Sequence, residues 1–162
     1  MRRHPHVLLV AFLSLAGACT SISHAAPSEP LPAPMPVVDV TMTEYHFAFT
    51  PPASGGRVMI RVTNAGRVIH ALELHPLGAD FPPIDQQLHG SVRRTLAPFA
   101  ELPAMRPGQH RSFVVDLRPD TRYAFLCFVA DRDRVVHALK GMNAEFRTAP
   151  LPSLPRPPGP GS

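Results

Sequence analysis

The chain has 162 residues, 44% of them hydrophobic and 17% charged, and 16 lysines and arginines against 12 acidic residues give a net charge of +4. The cationic residues are scattered, nearly all are arginine, and no basic run interleaves with aromatic side chains, so nucleic acid is not an expected partner. Only 2 cysteines are present and one of them, Cys19, lies near the N-terminus, which excludes a disulfide framework in the rest of the chain.

Arg2 and Arg3 open the chain, and the apolar run Val7 to Ala18 is too short to span a bilayer comfortably. Ser23-His24-Ala25 then supplies small residues at the −3 and −1 positions of a cleavage site, so residues 1–25 read as an export signal. The stretch LAGAC, Leu15 to Cys19, also resembles a bacterial lipoprotein signal over residues 1–18, in which Cys19 becomes a lipidated first residue and a membrane tether. The expected location is periplasmic or secreted, free or lipid-anchored. Residues 26–36 (APSEPLPAPMP) and 149–162 (APLPSLPRPPGPGS) are proline-rich, cannot bury a core, and read as a linker and a tail. A single domain, 37–148, lies between them.

The domain reads as short strands separated by turns. VVDVTMTEYHFAF alternates apolar and polar residues and stops at Pro51-Pro52. After the ASGG turn, RVMIRVTN places Val58, Ile60 and Val62 on one face. VIHALEL follows the AGR turn, with Val68, His70, Leu72 and Leu74 sharing a face. After RPGQ, HRSFVVDL aligns Phe113, Val115 and Leu117, and RPDT turns into RYAFLCFV. NAEFRT closes the domain. Strands at this spacing predict an all-β sandwich or barrel. His75 to Met105 interrupts the pattern as a long excursion with five prolines, in which IDQQLHGSVRRTL fits one short helix ending near Gly90.

Four residues could hold a metal. His70 follows the turn in NAGRVIH, Cys127 ends a strand, and His137 and Met142 follow in the next connection. Two imidazoles, a thiolate and a thioether form a set that suits copper; zinc could use the first three, but gains little from methionine. Taken singly, His70 and Met142 are more often core residues than ligands, and a lone Cys127 is more often a small buried hydrophobe. Metal binding is indicated by the four together, and by an unpaired cysteine in a chain that reads as exported.

The pattern resembles the cupredoxin, or blue (type 1) copper, family. Asn64-Ala65-Gly66-Arg67-Val68-Ile69-His70 matches that family's N-x-G-x-x-x-H turn. Cys127, His137 and Met142 follow its cysteine–histidine–methionine order, and HALKGM matches its spacing from histidine to methionine, with a glycine before the methionine. The resemblance implies a Greek-key β-sandwich, copper held by His70, Cys127, His137 and Met142, and Asn64 supporting the site from behind the ligands. It also implies one-electron transfer to a redox protein partner, with the His137 edge at the surface as the electron port. Phe125, Phe128 and Leu139 would limit water access. The departure is the nine-residue gap FVADRDRVV between Cys127 and His137, where well-known members place two to four residues; ADRDR reads as an exposed turn at its tip.

His46, His75, His89 and His110 lack such context and read as surface or edge residues, with His89 and His110 as substitutes should His137 not reach the metal. Glu44, Glu73 and Asp116 read as solvated strand side chains. With no phosphate loop, nucleophile elbow or supported pair of acids, an enzyme is not expected, and the expected state is a monomer. Three functions stay open: an electron carrier, a copper storage or delivery module without fast electron transfer, and a metal-free module that binds a partner.

Overall fold

A computed structural model describes residues 34–91, 94 and 97–150. The export and lipoprotein signals, Cys19, linker residues 26–33 and tail residues 151–162 lie outside the described residues.

Eight strands are formed among the described residues: β1 Val37–Thr43, β2 His46–Ala48, β3 Gly56–Asn64, β4 His70–Leu77, β5 Ala100–Met105, β6 His110–Leu117, β7 Arg122–Leu126 and β8 Asn143–Arg147. One short helix, α1 Ile84–His89, lies between β4 and β5, and a 3-10 turn at His137–Lys140 precedes β8. The strands make two four-stranded sheets, β2-β1-β3-β6 and β5-β4-β7-β8. The chain leaves β3 for the second sheet, forms the β4–β5 hairpin there, and returns as β6 beside β3, antiparallel to it. This return beside an earlier strand is the Greek-key pattern of the expected sandwich.

Alternation dictates which side chains meet between the sheets. Val38, Val40 and Met42 of β1, Val58, Ile60 and Val62 of β3, and Val115 and Leu117 of β6 face Leu72 and Leu74 of β4 and Tyr123 and Phe125 of β7 in one buried cluster. Phe113 packs at its margin. The opposite parity of the second sheet is also buried. Leu77, Ala124 and Leu126 meet Ile84 and Leu88 of α1 and Ala138 of the 3-10 turn in a second cluster. The excursion after β4 therefore covers the outer face of this sheet.

Several expectations need correction. The run 37–49 is not one strand: it reverses at Glu44-Tyr45, so that Thr43 pairs with His46 in an antiparallel hairpin. Val68 lies before β4 and is exposed. The excursion ends earlier than read, because AELPAM forms β5. It pairs only with β4, and an edge strand is where a proline such as Pro103 is tolerated. His75 is not a surface residue. It is buried on the outer face of β4, its Nε2 lies 2.9 Å from Glu73 Oε2, and the Phe128 ring stands edge-on to it. His46, His89 and His110 are exposed, as expected.

Tyr123 fastens the start of β7. Its ring is buried among Phe99 and Phe146, and its hydroxyl accepts a 2.8 Å hydrogen bond from the Arg118 backbone N–H at the start of the preceding turn. Tyr123→Phe keeps the ring and strands that N–H. The expected loss is about 1–3 kcal/mol of unfolding free energy, read from the denaturant midpoint at unchanged m-value.

Candidate metal centre

Three side chains that the sequence keeps far apart converge at one end of the sandwich. His70 is the first residue of β4, Cys127 follows the last residue of β7, and His137 opens the 3-10 turn. All three are buried, with exposures of 0%, 0% and 1%. The backbone fixes the last two relative to each other. Ala138 N–H donates to the Cys127 carbonyl at 2.8 Å, Met142 N–H to the His137 carbonyl at 2.9 Å, and Cys127 N–H to the Met142 carbonyl at 3.2 Å. The glycine before the methionine has a conformational reason. Gly141 sits at φ 101°, where a side chain would be strained, and turns the chain out of the 3-10 turn so that Met142 is fully buried in the main core with Cys127.

The long gap before His137 closes as a small hairpin. His137 N–H donates to the Val129 carbonyl at 2.8 Å, Ala130 bridges Val136, and Asp131 N–H donates to the Val135 carbonyl at 3.1 Å. Arg134, at φ 62°, makes the tip. The extra residues thus fold on themselves and return His137 to the cysteine.

His70 Nδ1 and His137 Nδ1 are 3.1 Å apart, and Cys127 Sγ is 3.5 Å from His137 Nδ1. One donor atom from each residue lies within 4.8 Å of the other two. Donors held about 2.0 Å (nitrogen) and 2.3 Å (sulfur) from a single ion stand roughly 3.2–3.8 Å apart when spread around it, so the spacing fits one metal.

The protons agree. His137 Nε2 lies 3.1 Å from Asp131 Oδ1. Hydrogen bonds from Lys140, Tyr45 and His137 hold that carboxyl well below the usual carboxylate range. An ionised carboxylate only accepts, so Nε2 carries the proton and Nδ1 of His137 is a bare lone pair. His70 Nε2 is buried without a hydrogen-bond partner, 3.9 Å from Glu44 Oε1. The two Nδ1 atoms lie within hydrogen-bond reach at 3.1 Å, so in the absence of a metal His70 Nδ1–H can donate to the His137 Nδ1 lone pair. Two imidazole nitrogens and a sulfur thus point at one another, and a cation that took the place of the shared proton would find all three as donors.

The surroundings hold this set in place. Asn64 is fully buried; its Nδ2 donates to the Val68 carbonyl at 2.9 Å and the Met105 carbonyl at 2.8 Å, and its Oδ1 accepts from Gly66 N–H at 2.9 Å. It ties the loop before His70 to the ends of β3 and β5. Ala71 N–H points at Cys127 Sγ at 3.3 Å, a bond that favours the thiolate. Burial pushes the Cys127 thiol up, against the backbone bonds from Ala71 and Val129. Burial lowers His70, and the neighbouring His137 adds to the effect.

Four residues were not singled out for the site by their sequence context. Glu44 is not a solvated strand side chain. It accepts from the backbone N–H groups of Arg67 and Val68 and so caps the turn behind His70, and the Arg67 contact holds its carboxyl below the usual range. Asp131 was read as part of an exposed tip, yet its carboxylate joins His137 to the Tyr45 hydroxyl and to Lys140 Nζ, the last at 2.7 Å. Tyr45 also sets its ring edge-on against His137, with centroids 5.1 Å apart. The His137 edge is therefore not open to solvent, contrary to the expected electron port. The expected apolar screen is corrected too. Phe125 is buried in the core, but Phe128 is 38% exposed and Leu139 packs with the outer cluster.

No family model and no curated protein matches the chain. Solved structures are similar to it. A dithionite-reduced auracyanin from the photosynthetic bacterium Roseiflexus castenholzii superposes with a TM-score of 0.50 at 18% identity, over 70% of this chain and 97% of that one. Auracyanin B gives a TM-score of 0.50 at 17% identity, over 75% and 93%. The chain thus has the cupredoxin-like β-sandwich fold that its sequence resembles.

Gly66 is packed against the back of the site. A Cβ there would lie 2.7 Å from Glu44 Oε1 and 3.0 Å from His70 Nε2. Gly66→Ala is expected to displace Glu44 and press on the His70 ring, at about 1–3 kcal/mol of folding stability. Calorimetry of metal uptake checks it, with the variant binding more weakly than the wild type.

Proposed function

We propose that the chain is an exported copper protein that carries one electron at a time. The observation that supports this most is the meeting of two imidazole nitrogens and a thiol sulfur at one buried point. His70, Cys127 and His137 would hold the ion, with the Met142 thioether as a further soft donor, and a thiolate beside two imidazoles favours copper over harder metals. Copper, when bound, supplies the one-electron redox chemistry. The protein's part is to keep the ligands still: the backbone bonds among Cys127, His137, Ala138 and Met142 and the anchoring of the His70 loop by Asn64 leave little to rearrange between oxidation states. Cys127 gives the covalent route for the electron, and Ala71 N–H steadies its charge.

We read the chain as a carrier rather than an enzyme, working as a monomer with a redox protein as its partner. The first 25 residues would direct it out of the cytoplasm, with lipidation at Cys19 as the means of tethering it. A carrier is favoured over a storage or delivery module because the ligands lie in a closed, pre-arranged site, whereas delivery needs access to the ion.

Copper(II) titration of the purified domain tests the reading. One equivalent is expected to bind, with intense visible absorption from sulfur-to-copper charge transfer. Cys127→Ala abolishes the colour, and His137→Ala abolishes or alters it. Met142→Leu keeps the colour and shifts the reduction potential. Binding without colour would point to storage or delivery, and no binding to a metal-free module.

A further inference from the structure

The hairpin that separates Cys127 from His137 delivers a carboxylate to the far side of the His137 ring. Asp131 Oδ1 lies 3.1 Å from His137 Nε2, while Oδ2 accepts from the Tyr45 hydroxyl and from Lys140 Nζ at 2.7 Å. Lys140 is anchored in turn by Asp133 of the same hairpin at 2.6 Å, and its Nζ stands 5.3 Å from the centre of the Tyr45 ring. The group draws on three separate places, since Tyr45 belongs to the β1–β2 reversal, Asp131 to the hairpin, and Lys140 to the 3-10 turn that carries His137. The Asp131 side chain is 23% exposed and that of His137 only 1%. The carboxylate therefore stands between the imidazole and water.

We propose that Asp131, braced by Tyr45 and Lys140, is a positioning residue for His137: it takes the hydrogen bond of Nε2–H, turns the bare Nδ1 toward Cys127 and His70, and closes the ring edge to solvent. For its effect on a bound ion this rests on the copper reading above. Because both carboxylate oxygens are engaged by donors, the bond leaves one tautomer and one ring orientation. A carboxylate behind an imidazole ligand also raises its basicity, which favours the more highly charged Cu(II) over Cu(I). The nine intervening residues are then not slack in a loop but the arm that carries Asp131 to the ring.

The test uses the full chain with and without copper. In the metal-free wild type, nitrogen NMR of the imidazoles is expected to show His137 protonated at Nε2 and bare at Nδ1; in Asp131→Ala the two tautomers mix. Copper(II) affinity of Asp131→Ala falls by about 10–100-fold. Each tenfold loss that Cu(I) does not share raises the reduction potential by about 59 mV. Asp131→Asn keeps the size and removes the charge, so it raises the potential in the same direction; a role in shaping the hairpin alone would leave that potential unchanged. The proposal is overturned by a metal-free wild type with His137 protonated at Nδ1, or by an Asp131→Ala protein with the tautomer and potential of the wild type. A wild type that takes up no copper sinks the copper reading, and the metal-free tautomer still decides the role of Asp131.

Discussion

Everything at the site depends on two imidazole Nδ1 atoms and a cysteine sulfur being held together at one buried point. His137 directs its Nε2 proton to Asp131, which leaves its Nδ1 to face His70 Nδ1 at 3.1 Å, a contact that one proton or one metal ion can bridge. Such crowding is unfavourable in an isolated peptide. It persists here because the sandwich determines where β4 starts and β7 ends, and because backbone bonds from Ala138 and Met142 fix His137 over Cys127. A fold that is rigid for hydrophobic reasons thereby holds an arrangement that a cation can use.

The two layers of the second sheet have distinct tasks. Its inner face, with Leu72, Leu74 and Phe125, builds the main core that buries Cys127 and Met142. Its outer face, with Leu77, Ala124 and Leu126, is covered by α1 and by Ala138, the residue after His137. The 3-10 turn is thus gripped on the outside by apolar packing and on the inside by backbone bonds. The long excursion after β4 contributes to the site indirectly, by backing the turn that carries His137.

Much of this was legible in the sequence because it is local. Alternation placed Val58, Ile60 and Val62 inside, and the short helix was readable from IDQQLH between Pro83 and Gly90, where α1 runs. The Asn-x-Gly turn before His70 and the Gly-Met pair after His137 each reflect a constraint within a few residues: Asn64 bonding to Gly66 and Val68, and Gly141 at positive φ. What stayed hidden is long-range or depends on partners. The reversal at Glu44-Tyr45 lies within a continuous strand pattern and becomes visible only through the Thr43–His46 pairing. β5 was masked by Pro103, whose tolerance follows from edge position alone. Tyr45 and Asp131 are 86 residues apart, and no period or motif announces that a charged loop tip will fold back over a histidine. For that reason the expectation of an open His137 edge failed, while the sequence order still pointed to Cys127 and His137, which meet His70 at one buried point.

X-ray absorption spectroscopy of the copper-loaded chain reads the first coordination shell directly. The account predicts one short sulfur scatterer together with two imidazole nitrogens about the metal, with the sulfur lost in Cys127→Ala. A first shell without sulfur, or with a single imidazole, would contradict it.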